Sequence, residues 1–288
     1  MKFGILYAYW THDWDGDYAV YAKKVKELGF DVLEISPGIL LSRPASEIDG
    51  LRKLAEDLGI SYATNIGPPK DKDIASKDPK IRKAGIQFLT DIMKVMDRLD
   101  SRILAGVLNT YWPCDFDDLD KPAIWARGVE SVKELGKVAE SLGIEYCLEV
   151  VNRFESNILN TCEEAVQFCR DVDCKSVKIL LDTFHMNIEE DNIADALRSA
   201  GSLLGHLHVG EGNRKLPGHG SLPWADIGQA LRDINFEKCV TMEPFITMGG
   251  QIGSDIKVWR DLSNNADPET MDRLLGEALL FLREKFLG

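Results

Sequence analysis

Three stretches of this chain repeat one joint: LGFDVLEI (28–35), LGISYATNI (58–66) and LGIEYCLEV (142–150). In each, a helix-like segment runs into Leu-Gly and a strand-like apolar run follows. A glycine at such a point fits the left-handed residue that ends a helix, so Gly29, Gly59 and Gly143 mark helix-to-strand turns. Turns of this kind recurring along a chain signal βα repetition. Strands are expected near 3–8, 31–35, 61–66, 102–107, 145–150, 177–182, 204–208 and 239–243. Helices are expected near 17–28, 46–58, 78–98, 124–141, 162–172, 192–200, 223–233 and 267–286. Apolar residues recur there at three- and four-residue steps, as at Ile86, Leu89, Met93 and Met96. Eight βα units with no break in composition favour an α/β architecture of the (β/α)8 TIM barrel type, a single catalytic domain over 1–288, ahead of a doubly wound open sheet. The connections near 108–123, 209–222 and 244–266 are long. Long connections in a compact domain are usually functional, and in a barrel they share the C-terminal face with the active site.

Side chains alternate faces along a strand. Cys147 and Glu149 therefore share one face, as do Leu180 and Asp182, His206 and His208, and Thr241 and Glu243. If these strands are neighbours in a barrel, they aim Glu149, Asp182, His208 and Glu243 at one point. Three converging carboxylates repel one another in a low-dielectric mouth, and a divalent cation resolves the repulsion. Three oxygen donors and one imidazole suit Mn²⁺, Mg²⁺ or Co²⁺ better than zinc. Such a cation stabilises the enediolate left when a carbon next to a carbonyl loses its proton. With one glutamate removing the proton and the other returning it on the opposite face, the carbon is inverted. His206 points inward one layer below His208 and reads as support or core. Arg153 is expected to back a neighbouring carboxylate, Glu149 or Glu155.

A net charge of −13 argues against a nucleic-acid partner. Six scattered cysteines with no CxxC pair read as reduced thiols of a cytoplasmic protein. The apolar run from Phe3 to Trp10 is followed by acidic residues and no small-residue cleavage site, so it reads as a first strand rather than a signal peptide. No run approaches the ~18 apolar residues of a membrane span.

The motifs YAYW (7–10), YWP (111–113), LEVVNRFE (148–155), LDTFHMNIEED (181–191), GHLHVGEGNR (205–214), MEPF (242–245) and IGSDIKVWRDLSNNA (252–266) run nearly end to end. On these residues the chain resembles the D-tagatose 3-epimerase / D-psicose (D-allulose) 3-epimerase family of ketose 3-epimerases. The resemblance implies a barrel of the sugar phosphate isomerase/epimerase-like kind, a homodimer or homotetramer, and one Mn²⁺ or Co²⁺ per subunit, with Mg²⁺ as an alternative. It implies an isomerase that interconverts free ketohexoses at C3, D-fructose with D-psicose and D-tagatose with D-sorbose, by deprotonation and reprotonation through a cis-enediolate. Family metal ligands fall on Glu149, Asp182, His208 and Glu243, and the acid/base pair falls on Glu149 and Glu243. Glu155, His185 and Arg214 fall on residues that hold the O1–O3 end of the sugar. Trp112, Trp14 and Phe245 fall on the pocket walls. The chain departs from the family at Leu6, where many members place an aromatic in the substrate pocket. It departs again at Asn65, where a small residue is expected, and Ala105 replaces a glycine common in the psicose-type members. These departures bear on the preferred sugar. An aldose–ketose isomerase or a sugar-phosphate epimerase on the same scaffold are the rival readings. A metal-dependent endonuclease fits poorly with five histidines and the acidic charge.

Overall fold

Eight parallel strands close on themselves in sequence order. They are β1 (Lys2–Leu6), β2 (Val32–Ile35), β3 (Ser61–Asn65), β4 (Ile103–Gly106), β5 (Glu145–Val150), β6 (Val177–Asp182), β7 (Leu204–Val209) and β8 (Cys239–Met242). The closure runs from Lys2 opposite Cys239 to Ile5 opposite Met242. The computed structural model describes residues 1–288, and in it the expected barrel is present with eight strands close to their expected places. The exceptions are that β1 ends at Leu6, where Tyr7–Trp10 turn into a 3-10 helix, and that β8 ends at Met242, one residue before Glu243. No helix is long and apolar enough to cross a membrane.

Ten helices surround or cap the strands: α1 (Tyr18–Glu27), α2 (Ala45–Leu58), α3 (Pro79–Leu99), α4 (Lys121–Leu142), α5 (Cys162–Val172), α6 (Thr183–Glu189), α7 (Ile193–Ala200), α8 (Trp224–Asp233), α9 (Gly250–Asp255) and α10 (Pro268–Leu287). The starts of α1, α3, α4, α5, α7 and α10 follow from short polar side chains that accept the free N–H groups of the first turn. Asp17, Asp78, Asp120, Thr161, Asn192 and Asp267 each do so. The helix ends explain the Leu-Gly joint, because Gly59 and Gly143 sit at φ 65° and 64°. The same left-handed turn also closes α3 at Asp100 (φ 63°) and α5 at Asp173 (φ 50°). A joint spelled with aspartate performs the same task where the repeated motif is absent.

The main apolar core lies between the strands and the helices, where 74 buried residues form one cluster. The barrel interior holds only small apolar groups, Val32, Ala63 and Cys239 in one and Ala105, Cys147 and Leu180 in another. Packing of the helices onto the strands therefore supplies most of the hydrophobic stabilisation. The interior toward the C-terminal ends of the strands is left free for polar groups.

Two further segments differ from expectation. The residues after β6 turn at once into α6 rather than a loop, because Asp182 caps that helix by accepting the N–H of Phe184 at 3.0 Å. The long connection after β8 contains α9.

Candidate active site

Strands β5 to β8 deliver Glu149, Asp182 and His208, and Glu243 follows β8 by one residue. All four are buried. His208 Nδ1 stands 3.3 Å from Glu243 Oε1 and 3.8 Å from Glu149 Oε1, and it has no hydrogen-bond partner. Ligand atoms of Glu149, His208 and Glu243 all lie within 4.8 Å of one another, and so do those of Glu149, Asp182 and His185. Glu149, His208 and Glu243 thus meet at one point, while Asp182 meets Glu149 in the second group, beside His185.

The tautomer of His208 is set from beneath. Its Nε2 is 2.7 Å from Glu34 Oε1, and His206 Nε2 is 2.7 Å from Glu34 Oε2. Glu34 comes from β2, is fully buried, and was missed from sequence. Its signal was present: Glu34 interrupts the apolar run VLEI just as Glu149 interrupts CLEV. With Nε2 engaged by Glu34, His208 Nδ1 faces the site, the usual arrangement by which a second carboxylate orients a metal-binding imidazole. Burial disfavours charge on both imidazoles, but Glu34, with Cys239 beside His206 and Glu243 beside His208, outweighs it and lifts His206 to about 9 and His208 well above the ordinary range. A cation at Nδ1 would take the place of the proton those acids favour.

The acids around this point are under electrostatic pressure. Burial and the Glu243 charge push Glu149 well above the usual carboxylate range. Burial lifts Asp182 to about 6 against the pull of Arg214. Burial also acts on Glu243, but His208 and Arg214 hold it below its ordinary value. Three hard oxygen donors, one free imidazole nitrogen and mutual repulsion fit a divalent cation of the Mn²⁺, Co²⁺ or Mg²⁺ type.

Arg214 enters the same region from the loop after β7. It is buried, with Nη1 3.1 Å from both Asp182 Oδ2 and Glu243 Oε2, and Nη2 3.8 Å from Glu155. Its guanidinium lies 3.7 Å above the Phe184 ring and 5.2 Å from that of Phe245, a favourable placement for a cation. The backbone there is left-handed, φ 64°. It is held by the Arg214 N–H donating to the Glu211 carbonyl and the Phe245 N–H donating to the Arg214 carbonyl, both at 2.9 Å. Glu211, another residue missed from sequence, organises this loop by accepting from the N–H groups of Gly218 and Leu222 and from Trp224 Nε1.

His185 is buried, and its Nδ1 accepts the backbone N–H of Asn152 at 3.1 Å. Burial, with the charges of Arg214 and His208, drives its pKa well below the ordinary value. The neutral ring therefore carries its proton on Nε2, 3.6 Å from Asp182 Oδ2. That makes it a hydrogen-bond donor toward the site. Trp112 Nε1 donates to Glu155 Oε2 at 3.1 Å, and Trp14 Nε1 donates to Asp255 Oδ2 at 2.8 Å. Gly67 makes room for Trp112, since a Cβ there would come within 2.6 Å of the Trp112 Cβ. Trp14 meets Trp112 and Phe245 edge to face at 6.2 and 6.3 Å. These rings, with Leu6, Glu149, Glu155, His185, Arg214 and Glu243, line one cavity of about 360 Å³.

Arg153 is a correction. It backs neither Glu149 nor Glu155. Its Nε and Nη2 donate to Glu189 at 2.9 and 2.8 Å, and its side chain is 63% exposed. The Arg153 N–H also donates to Glu189, so the residue ties the segment before Glu155 to the end of α6. Tethering the backbone aims the intervening residues differently from what local sequence suggests.

Residues 22–262 match the family model described as xylose isomerase-like TIM barrel. D-psicose 3-epimerase of Ruminiclostridium cellulolyticum is 50% identical over 284 residues, covering 98% of this chain and 97% of that protein. D-psicose 3-epimerase of Agrobacterium fabrum is 48% identical, covering 98% of each. The crystal structure of D-psicose 3-epimerase with D-tagatose from Clostridium cellulolyticum H10 superposes with a TM-score of 0.98, at 49% identity over 99% of both chains.

Proposed function

This chain belongs to the ketose 3-epimerases, isomerases built on the xylose isomerase-like TIM barrel, and from that premise we propose that it inverts C3 of free ketohexoses with the help of one divalent cation. Glu149, Asp182, His208 and Glu243 would hold the cation, with Mn²⁺ or Co²⁺ as the favoured ions. The observation that carries the reading is the unpartnered His208 Nδ1 between two buried glutamates that face one cavity. The cation, when bound, supplies positive charge beside the ketose carbonyl and so makes the neighbouring C–H more acidic.

The protein's own groups do the rest. One of Glu149 and Glu243 takes the C3 proton and the other returns one from the opposite side, which inverts the carbon. His185 Nε2–H donates to a sugar oxygen, and Arg214 offers charge where the oxygen becomes negative. Glu155, held by Trp112, orients the O1–O3 end. Trp14, Trp112 and Phe245 cover the cavity and limit water at the reacting carbon. Residues 1–288 would act as one catalytic domain.

Product analysis after incubation with D-fructose tests the reading. D-psicose is the expected product. Glucose or mannose would mean transfer between C1 and C2 instead, and no turnover with any added Mn²⁺ or Co²⁺ would overturn it.

A further inference from the structure

On the cavity wall formed by β1 to β4, two side chains carry a buried polar atom with no partner, the Tyr7 hydroxyl and the Asn65 amide. Of these only the amide can both donate and accept through separate atoms. Asn65 ends β3 and lines the cavity. Its neighbour Thr64 points outward to the helices, where its hydroxyl donates to the Ile103 carbonyl at 2.8 Å and meets Met96 of α3. Alternation along the strand therefore turns Asn65 inward. Its Nδ2 has no acceptor and is turned away from solvent, while the residue itself is half-buried at the cavity. The surrounding wall is largely apolar, Leu6, Ile39, Ile66 and Val107, with Tyr7 and Ser36 as its other polar residues. The indole N–H groups of Trp14 and Trp112 are already committed to Asp255 and Glu155.

A desolvated amide left unpaired is costly, and beside a cavity a bound molecule can supply the missing partner. Resting on the epimerase reading, in which C1 to C3 are held at the β5–β8 side, the remainder of the sugar must lie toward this wall. We infer that Asn65 is a specificity-determining residue whose amide hydrogen-bonds a hydroxyl on C4, C5 or C6 of the ketose. A hydroxyl both donates and accepts, so either end of the amide can serve after a turn about its terminal bond. Because its surroundings are largely apolar, losing that hydroxyl leaves the amide unpaired again, which is how a site rejects a substrate lacking one group.

The test compares kcat/KM of the metal-loaded enzyme on a ketohexose and on its 4-, 5- and 6-deoxy analogues, for the wild type, Asn65→Ala and Asn65→Leu. The leucine variant keeps the volume and so guards against collapse of the wall in the alanine variant, and thermal melting checks both folds. The expected result is a loss of about tenfold on the full sugar, the worth of one neutral hydrogen bond, with one deoxy analogue turned over as by the wild type. Equal losses on all four sugars, or no loss, would overturn the assignment of Asn65 alone. A wild-type enzyme that turned over none of them would sink the epimerase reading and this inference with it.

Discussion

Strands β5 to β8 lead into Glu149, Asp182, His208 and Glu243, of which Glu149 and Glu243 line the cavity, whereas β1 to β4 lead into Leu6, Ser36, Asn65 and Val107, which line its other side. One side of the mouth is charged and buried, and the other is largely apolar and uncharged, with the Tyr7 hydroxyl and the Asn65 amide unpaired. The contrast separates two tasks. The charged side can hold a cation and move protons. The apolar side can only select what reaches it. Glu34 crosses the divide from beneath, coming from β2 yet serving His206 and His208 of β7.

The division can be broken from either side, and the largest effects belong to the charged half. Glu149→Gln and Glu243→Gln should each lower kcat at least about 1000-fold while the protein stays folded, checked by chromatography of products and circular dichroism. Near wild-type turnover in either would end the two-base scheme. Chelation should abolish turnover and lower the melting temperature, and returning Mn²⁺ at a hundredfold over its Kd should restore about 2.7 kcal/mol of stability. Calorimetric metal binding then sharpens the role of Glu34: Glu34→Gln is expected to weaken affinity about 10- to 100-fold. Unchanged affinity would reduce Glu34 to a packing residue.

On the apolar side the effect should be smaller and of another kind. Leu6→Ala should shift the kcat/KM ratio between a ketohexose and a ketopentose by about tenfold, with metal affinity unchanged. A change in metal affinity instead would mean the two sides are not separable. Smallest of all, Arg153→Ala should barely move the melting temperature, because its pair with Glu189 is largely exposed on the arginine side, and should leave turnover close to that of the wild type.

The strands were legible because alternation and the helix-ending joint are local properties of the backbone, so Glu149, Asp182, His208 and Glu243 could be placed on inward faces from sequence. Local pattern also carried Glu34, yet an acid within an apolar run has no stated partner until β2 and β7 face each other across the barrel. Loop residues had no period to read. Arg153 looked like support for the site and proved to tie a loop to α6. Arg214 reaches Asp182 and Glu243 only because Glu211 and Phe245 hold its backbone in a left-handed turn.

By itself, then, the sequence determined which elements form, in what order, and which side chains face inward, since these follow from period, caps and turns along neighbouring residues. Only the tertiary structure decided that His208 presents Nδ1, that His185 carries its proton on Nε2, and that Asn65 has no partner. Each of these depends on a hydrogen bond made or missing between residues far apart in the chain, and such bonds exist only once the barrel has closed.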